Sequence, residues 1–308
     1  MGLALSVAVL VTAPVFAQSP GPFTVTETGA SFHRLQDAVD SLGGGGGTIQ
    51  ISPGTYRDCA VQESGRVAFV ARTRGTVVFD GGICEGKASL VLRGRAAHVE
   101  GLTFTHTFVD DGNGAGIRIE KGDLTVVSSI FVDAQSGIVS SNDDRSSTIS
   151  IDRSTFSGLG KHPDGNGTHS IYVGRYGGIR VTNSRFERGT GGHYLKSRAP
   201  RIEVLGSSFD DSRGRDTNYM IDLPEGAVGR IAGNTFVNGA DKENYGTMIA
   251  VAAESRRQPS AGLTIERNRA WLVPSFPWST TFVGSWTKEP LVIRDNALGS
   301  GIRRFKQR

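Results

Sequence analysis

A short pattern of apolar and polar positions recurs along most of the chain. An aliphatic residue is followed five positions later by Phe, with Asn, Ser or Gly between the two. Full copies begin at Val99, Val126, Ile151, Val181, Val204 and Ile231, and degenerate copies begin at Ile265 and Ile293. Successive copies are 23 to 34 residues apart. This interval suits one coil of a solenoid, in which units that cannot bury their apolar faces alone stack into a continuous core.

The coils are predicted to be β rather than α. Each interval contains two or three short runs rich in Val, Ile, Thr and Phe, separated by Gly, Asn, Asp and Ser, without an amphipathic stretch of helical length. The 42 glycines fit a chain that turns sharply several times per coil. We expect the Phe side chains to form one internal stack: Phe104, Phe131, Phe156, Phe186, Phe209 and Phe236. The turn residues are expected to form hydrogen-bonded ladders between coils: Ser129, Ser154, Ser184, Ser207, Asn234, Asn268 and Asn296.

The N-terminal part has the same organisation. Residues Ser31 to Leu42 have a Ser at the helix start and an apolar stripe, which predicts one short amphipathic helix that covers the open end of the solenoid. The stretch GGGGGTIQISPGTY follows from Gly43 to Tyr56. Together with the Phe phrases, this entry resembles the right-handed parallel β-helix of the pectin lyase-like superfamily, over residues 23 to 300. The resemblance implies an all-β solenoid of about eight to ten coils with a short N-terminal capping helix.

Residues 1–17 form an apolar run that ends in a small-x-small pattern and indicate a secretory signal peptide. Residues 18–308 then form one β-helix domain in a secreted or periplasmic protein, without membrane insertion because the apolar run is too short to span a bilayer comfortably. Cys59 and Cys84 are 25 residues apart, about one coil, and are predicted to form a disulfide on neighbouring coils. Two free thiols are the alternative.

The net charge of +4 favours an acidic partner only weakly. The basic tail from Ile302 to Arg308 is typical of a solvated end, and no nucleic-acid-binding motif is present, so a nucleic acid is not expected as a partner. We expect a monomer that acts on an acidic polysaccharide.

Alternation of inward and outward side chains predicts which residues share an external face. We align the strands on equivalent inward positions, which are Ile117, Ile138, Ile171, Leu195, Ile221 and Ile249. The next residue of each strand then forms an outward column of Arg118, Val139, Tyr172, Lys196, Asp222 and Ala250. Two residues further along, the outward column includes Glu120 and Arg198, and Tyr194 lies on the other flank. The middle coils would therefore present two Tyr, one Lys, one Arg and one Asp together. A surface ion pair covered by Tyr side chains is the alternative interpretation.

This set suits β-elimination from a uronate polymer, which requires a cation for the sugar carboxylate, a base for the C5 proton and an acid for the leaving oxygen. Lys196 and Arg198 resemble in type the basic pairs of β-helix polysaccharide lyases. We expect Lys196 to act as base and Arg198 to neutralise the carboxylate, with Tyr172 or Tyr194 as acid. His193 is a further catalytic candidate, ranked above His169 and above His162 in the inserted loop. The alternative for His193 and His169 is a structural stacked pair at the strand edge. The predicted substrate-binding residues are Tyr194, Asp222, Arg118 and Glu254.

Other chemistries remain open. A C5-epimerase shares the proton-abstraction step, and a glycoside hydrolase would need a carboxylate pair such as Asp222 with Glu254, or Asp210 with Asp211. A non-catalytic carbohydrate-binding solenoid is the last alternative, after the lyase, the epimerase and the hydrolase. No cofactor is required by the lyase chemistry. Calcium is the candidate cofactor, because it prefers oxygen ligands. Its candidate ligands are Asp110, Asp111, Asn113 and Glu120, and an ordinary Asx turn is the alternative interpretation of this group.

Overall fold

The computed structural model describes residues 20–143, 147–160 and 168–308. The predicted signal peptide at residues 1–17 and His162 lie outside the described residues. Across the described ranges the chain is almost entirely β-structure with one short helix.

The strands are short and follow one another closely along the chain. In chain order the first elements are β1 (Phe23–Val25), β2 (Ser31–Phe32), α1 (Leu35–Leu42), β3 (Gly46–Ile51), β4 (Gly54–Tyr56), β5 (Ala60–Gln62), β6 (Arg66–Ala71), β7 (Val77–Asp80), β8 (Ala88–Leu92), β9 (Ala96–Glu100) and β10 (Leu102–Thr105). The middle elements are β11 (Ala115–Ile119), β12 (Asp123–Val127), β13 (Ile130–Val132), β14 (Ser136–Ser140), β15 (Thr148–Asp152), β16 (Thr155–Ser157), β17 (Ile171–Val173), β18 (Gly178–Thr182), β19 (Arg185–Glu187), β20 (Leu195–Ser197), β21 (Arg201–Leu205) and β22 (Ser208–Asp210). The last are β23 (Ile221–Leu223), β24 (Val228–Ala232), β25 (Thr235–Asn238), β26 (Ile249–Val251), β27 (Thr264–Glu266), β28 (Arg269–Leu272), β29 (Thr280–Ser285), β30 (Val292–Arg294), β31 (Ala297–Leu298) and β32 (Ile302–Gln307).

Each strand pairs with the strand three places later in the chain, one coil away, so the chain winds into three long sheets. Sheet 1 has 12 strands and runs from β3 through β6 to β30, with β1 and β2 added antiparallel at its start. Sheet 2 has ten strands from β4 to β31, and sheet 3 has ten from β5 to β32. All pairs from β3 onward are parallel. The architecture is a parallel β-helix, as the sequence predicted.

The predicted Phe stack is present inside sheet 2. The rings of Phe79, Phe104, Phe131, Phe156, Phe186, Phe209 and Phe236 follow one another with centroids 4.6 to 5.6 Å apart. All are at most 1% exposed. The repeat phrase places each ring directly over the equivalent ring of the coil before, because register partners share one side of a parallel sheet.

The predicted turn ladder is also present, between sheets 1 and 2. The backbone N–H of Ser129 donates to Ser154 Oγ at 3.2 Å, and that of Ser154 donates to Ser184 Oγ at 3.1 Å. Ser207, Asn234, Asn268 and Asn296 continue the same pattern. Each ladder residue follows one with positive φ, such as Asn183 at 50° or Gly206 at 60°. The left-handed residue makes the bend, and the ladder side chain satisfies the buried N–H that the bend would leave unpaired.

The N-terminal cap differs in its boundary from the prediction. The helix begins at Leu35 rather than Ser31, because Ser31 and Phe32 pair with β1 as a strand. The N–H of Leu35 is accepted by Asp58 Oδ2 at 2.9 Å, so a side chain 23 residues away caps the helix. Leu35, Ala38 and Val39 are buried against the first coil, as the capping role requires.

The predicted disulfide is present between Cys59 and Cys84, whose Cα atoms are 5.5 Å apart.

At the C-terminal end of the solenoid, the aromatic segment from Ala270 to Trp286 does not interrupt the coils, because it contributes most of β28 and all of β29 to sheets 2 and 3. No helix among the described residues is both long and apolar enough to cross a membrane.

Replacing Phe186 with Ala should lower the free energy of unfolding by about 3 to 5 kcal/mol, because it opens a cavity in the middle of the stack. Phe186 is fully buried and its ring lies 4.9 Å from that of Phe156 and 4.6 Å from that of Phe209. Denaturant unfolding followed by circular dichroism measures the change. Phe108→Ala is the control, because Phe108 is 45% exposed and should cost little. Equal effects of the two changes would contradict the stack as a source of stability.

Candidate functional site

The outward column predicted from the sequence exists on sheet 3. Parallel pairing aligns Val139 with Tyr172, Tyr172 with Lys196, Lys196 with Asp222, and Asp222 with Ala250. The inward partners Ile138, Ile171, Leu195, Ile221 and Ile249 are all fully buried in the core. Lys196 and Asp222, 26 positions apart in sequence, thus lie side by side on neighbouring strands.

At the centre of this face, two cations hold one carboxylate. Lys196 Nζ lies 2.6 Å from Glu254 Oε1, and Arg198 Nη2 lies 2.5 Å from Glu254 Oε2. The two oxygens of one carboxylate are therefore bound by different cations. The Glu254 side chain is 45% exposed, whereas those of Lys196 and Arg198 are 12% and 20% exposed. Burial raises the pKa of Glu254, but the hydrogen bonds from Lys196 and Arg198 outweigh it, and the pKa is lowered overall.

Each of the two cations also has a buried carboxylate partner. Lys196 Nζ lies 3.2 Å from Asp222 Oδ2, and Arg198 Nη1 donates to Glu225 Oε1 at 3.1 Å. Glu225 is also bound by Arg175, at 3.0 Å. Because Asp222 and Glu225 are only 3% and 4% exposed at their side chains, they fix the cations from below. Glu254 is the solvent-exposed partner that both cations share, so it can leave without releasing either of them.

Asp222 is the electrostatically unusual group of this site. Burial raises the pKa of its carboxyl to about 6, against the opposing effect of Lys196. Its Oδ1 is buried and makes no hydrogen bond among the described residues. A carboxyl with a pKa near 6 is mostly ionised at neutral pH and is still basic enough to accept a proton, which is the range that favours general base catalysis.

His193 and His169 stack at the entry edge of sheet 3, with ring centroids 4.9 Å apart. The backbone N–H of His193 donates to His169 Nδ1 at 3.1 Å, and the backbone N–H of Tyr219 donates to His193 Nδ1 at 3.1 Å. Burial lowers the pKa of His169 to about 3 and that of His193 well below its usual value. Both rings are therefore neutral with the proton on Nε2, and the Nε2 of His193 lies 3.3 Å from Asp222 Oδ2. In this state His193 has no free ring nitrogen with which to act as base.

Tyr172 and Arg118 also lie on this face. Arg198 Nε donates to the Tyr172 hydroxyl at 3.1 Å, so Tyr172 belongs to the central group. That hydroxyl keeps its own proton available for donation, because the Arg contact uses an oxygen lone pair. Arg118 lies on β11, three strands from Lys196 on β20.

Tyr194 does not lie on the exposed face, and the prediction for this residue is wrong in position. It is 1% exposed, and its hydroxyl donates to Asp211 Oδ1 at 2.7 Å in the interior. Tyr194 precedes β20, at the corner where the chain turns into the strand, so strict alternation does not apply there. Asp211 is also unsuited to the hydrolytic pair with Asp210, because it is fully buried and Lys242 Nζ lies 2.9 Å from its Oδ2.

The group predicted for calcium is not assembled as a ligand set. Glu120 lies at the exit end of β11 and binds Lys87 at 2.9 Å and Arg93 at 2.6 Å, whereas Asp111 and Asn113 precede β11 at its entry end. Asp111 Oδ1 accepts the N–H of Asn113 at 3.0 Å, as in an Asx turn. Across residues 20–143, 147–160 and 168–308, no three His, Cys, Asp or Glu side chains lie close enough together to hold a metal ion.

Sequence reasoning missed Glu225, Arg175 and Tyr219. Glu225 and Arg175 lie in the turns that follow β23 and β17, outside the strand columns. Tyr219 stacks on His193 with centroids 5.3 Å apart, and its hydroxyl accepts a hydrogen bond from Asn244. A signal for Tyr219 did exist, because it precedes Ile221 by two residues, as His193 precedes Leu195 and His169 precedes Ile171.

The raised pKa of Asp222 predicts a specific pH dependence of stability. A carboxyl whose pKa is higher in the folded than in the unfolded state favours folding in acid, and this contribution is lost as pH rises through about 4 to about 6. The free energy of unfolding of the wild type relative to Asp222→Asn should fall by about 2 kcal/mol from about pH 4 to about pH 7. Urea unfolding of both proteins across this range measures the difference. A difference that does not vary with pH would show that Asp222 titrates normally.

Comparison with known proteins gives two similar solved structures and one matching family. No curated protein matches the sequence. A solved structure described as ORF18 of Geobacillus virus E2 aligns at a TM-score of 0.49 and 12% identity, over 88% of this chain and 56% of its own, so this chain spans little more than half its length. The Streptococcus pneumoniae surface protein and adhesin PfbA aligns at a TM-score of 0.44 and 12% identity, over 89% of this chain and 94% of its own.

One family matches this chain over a continuous range of residues. The model described as the right handed beta helix region matches residues 115–272, just over half of the 308 residues. These residues include β11 to β28 and most of the candidate site. The chain therefore belongs to the family of right-handed β-helix proteins.

Proposed function

We propose that this protein is an exported polysaccharide lyase that cleaves a uronate-containing polymer by β-elimination on the outer face of sheet 3. The observation that supports it best is the binding of the Glu254 carboxylate by Lys196 and Arg198. A carboxylate bound through both oxygens by two cations has the geometry that a uronate carboxylate would need. The Cys59–Cys84 disulfide supports function in an oxidising compartment.

Substrate binding would begin with displacement of Glu254 by the carboxylate of the sugar. The two cations stay in place, because Asp222 and Glu225 hold them from below. Neutralisation of the sugar carboxylate makes its C5 proton more acidic and stabilises the charge that develops when the proton leaves. Lys196 and Arg198 would together supply the positive charge for this neutralisation.

Asp222 is the proposed proton acceptor, in place of Lys196. Lys196 Nζ contacts two carboxylates, Asp222 at 3.2 Å and Glu254 at 2.6 Å, so its proposed role is to hold a carboxylate on this face. Asp222, with a pKa of about 6, is mostly ionised at neutral pH, and its Oδ2 lies 3.2 Å from the Lys196 Nζ that would bind the sugar carboxylate. The C5–H electrons form the C4=C5 double bond, the C4–O bond breaks, and the leaving oxygen takes a proton from the Tyr172 hydroxyl.

A glycoside hydrolase is the second candidate, supported by one distance argument. Asp222 and Glu254 contact the same Lys196 Nζ, so their nearer oxygens are at most about 6 Å apart, which overlaps the separation of about 5 to 5.5 Å in retaining glycosidases. Glu254 would then be a catalytic residue rather than a displaceable one.

Product analysis separates the proposed activities. Purified protein is incubated with pectate, alginate, glucuronan and bacterial exopolysaccharides. New ultraviolet absorbance of an unsaturated uronate supports the lyase. Reducing ends without this absorbance indicate hydrolysis, and altered sugar configuration at constant chain length indicates a C5-epimerase. Binding without any chemical change in all four polymers would reject the enzyme and favour a carbohydrate-binding solenoid.

Variants of Asp222 and Lys196 test the assignment of the base. Asp222→Asn should lower kcat by at least about a hundredfold, since a positioned general base contributes that much. Lys196→Arg should retain most of kcat, because a guanidinium still binds the carboxylate, whereas Lys196→Ala should raise KM strongly. In the wild type, kcat/KM should rise with pH through about 6, as Asp222 loses its proton. An inactive Lys196→Arg variant would instead identify Lys196 as the base.

Glu254→Gln tests whether Glu254 competes with the substrate. Removing its charge should lower KM by about threefold to tenfold while leaving kcat nearly unchanged, because the incoming carboxylate no longer displaces a charged competitor. Glu203→Gln is the matched control, since Glu203 is an exposed carboxylate paired with Arg180 on sheet 1. Loss of activity in Glu254→Gln would support the hydrolase and reject the competitor role.

A further inference from the structure

A polar cavity of about 550 Å³ lies on the same face of sheet 3, on the N-terminal side of the central group. Its floor is formed by Arg118, Val139 and Tyr172, which are consecutive members of one outward column. Lys87, Asp111 and Asn113 line it before the strands, and Ser141 lines it after them. The Asp111 carboxylate accepts the backbone N–H of Asn113. Tyr172 lines the cavity and also contacts Arg198, so the cavity and the central group form one continuous track along the solenoid axis.

Arg118 is only partly neutralised in this cavity. Its Nη2 donates to Ser141 Oγ at 3.2 Å, and its Nε is buried without a hydrogen bond among the described residues. Within the part of the chain that the structure describes, the carboxylate paired with Arg118 is that of Glu120, which lies 3.9 Å from that Nε and is bound more closely by Lys87 and Arg93. The Arg118 side chain as a whole is 23% exposed and lines the cavity, so its accessible guanidinium N–H groups can donate to a ligand oxygen.

The spacing between the two cationic positions fits a chain-like ligand. Arg118 and Lys196 belong to the same column, three strands apart, which corresponds to about 14 Å along the solenoid axis. A sugar polymer that follows the axis passes over Tyr172 between them. A disaccharide is too short to reach both positions at once, whereas an octasaccharide is long enough.

We propose that the cavity around Arg118 is a second carboxylate-binding subsite for the same acidic polysaccharide, with Arg118 as its specificity-determining cation and Asn113 and Ser141 as hydrogen-bonding partners for the sugar. This inference rests on the proposed function, because it assumes that a uronate occupies the Lys196 and Arg198 site. It adds that recognition extends over at least four strands of sheet 3 and that affinity depends on the length of the chain bound.

The test compares two ligand lengths on the intact protein by isothermal titration calorimetry, with galacturonate octamer and galacturonate dimer as probes. Arg118→Gln should weaken octamer binding by about tenfold, because it removes a charged hydrogen-bonding group from the cavity. It should leave dimer binding unchanged, because the dimer occupies only the central group. Ser141→Asp should reproduce the loss, because it places a competing carboxylate beside Arg118. Arg180→Gln, on sheet 1, is the control for loss of one exposed positive charge.

The outcomes are distinguishable from failure of the proposed function. Octamer binding that is unchanged in Arg118→Gln, or dimer binding that weakens equally, overturns the subsite and leaves the lyase proposal intact. Wild-type protein that binds neither probe, nor mannuronate and glucuronate oligomers of the same lengths, nor the bacterial exopolysaccharides, overturns both. Length-dependent loss without any unsaturated product in the wild type supports the subsite and rejects the lyase.

Discussion

The structure depends on the vertical alignment of equivalent residues in successive coils. Phe rings stack at 4.6 to 5.6 Å on the inside of sheet 2, and the Ser and Asn ladder fixes the bend between sheets 1 and 2. A coil shifted by one residue would turn the Phe side chain outward and remove the acceptor for a buried N–H. Apolar packing and hydrogen bonding therefore select the same register, and insertions are tolerated only in the loops between strands.

This register explains how distant residues form one site. Tyr172, Lys196 and Asp222 are about one coil apart in sequence, and parallel pairing brings them onto adjacent strands. The strands are held by the core, so the polar side chains on their outer face have fixed origins. Carboxylates from the following turns, Glu225 and Glu254, then neutralise the two cations. The result is a buried layer that positions the cations and an exposed carboxylate that a substrate can replace.

Next to the site, buried polar groups hold the loops at the entry edge of sheet 3. Lys242, Thr217 and Tyr194 all bind Asp211, and the side chains of Lys242 and Asp211 are at most 1% exposed. A buried ion pair with every partner in place defines one conformation more than it adds stability. These loops precede β23 and β26 and include Tyr219, whose N–H fixes the tautomer of His193. Through His193, the same cluster shapes the surroundings of Asp222.

The sequence by itself determined the β-helix, the Phe stack, the turn ladder, the disulfide and the outward column, because each follows from a repeat of about one coil and from alternation within a strand. It placed Tyr172, Lys196, Arg198 and Asp222 on one face for the same reason. Only the tertiary structure decided which side chains of that face are buried and which carboxylates pair with its cations. Tyr194 turns inward at a corner where alternation ends, and Asp222 is buried beneath neighbours from other coils. Glu225 and Glu254 come from turns without a repeat, so no periodicity in the sequence could place their charges against Lys196 and Arg198.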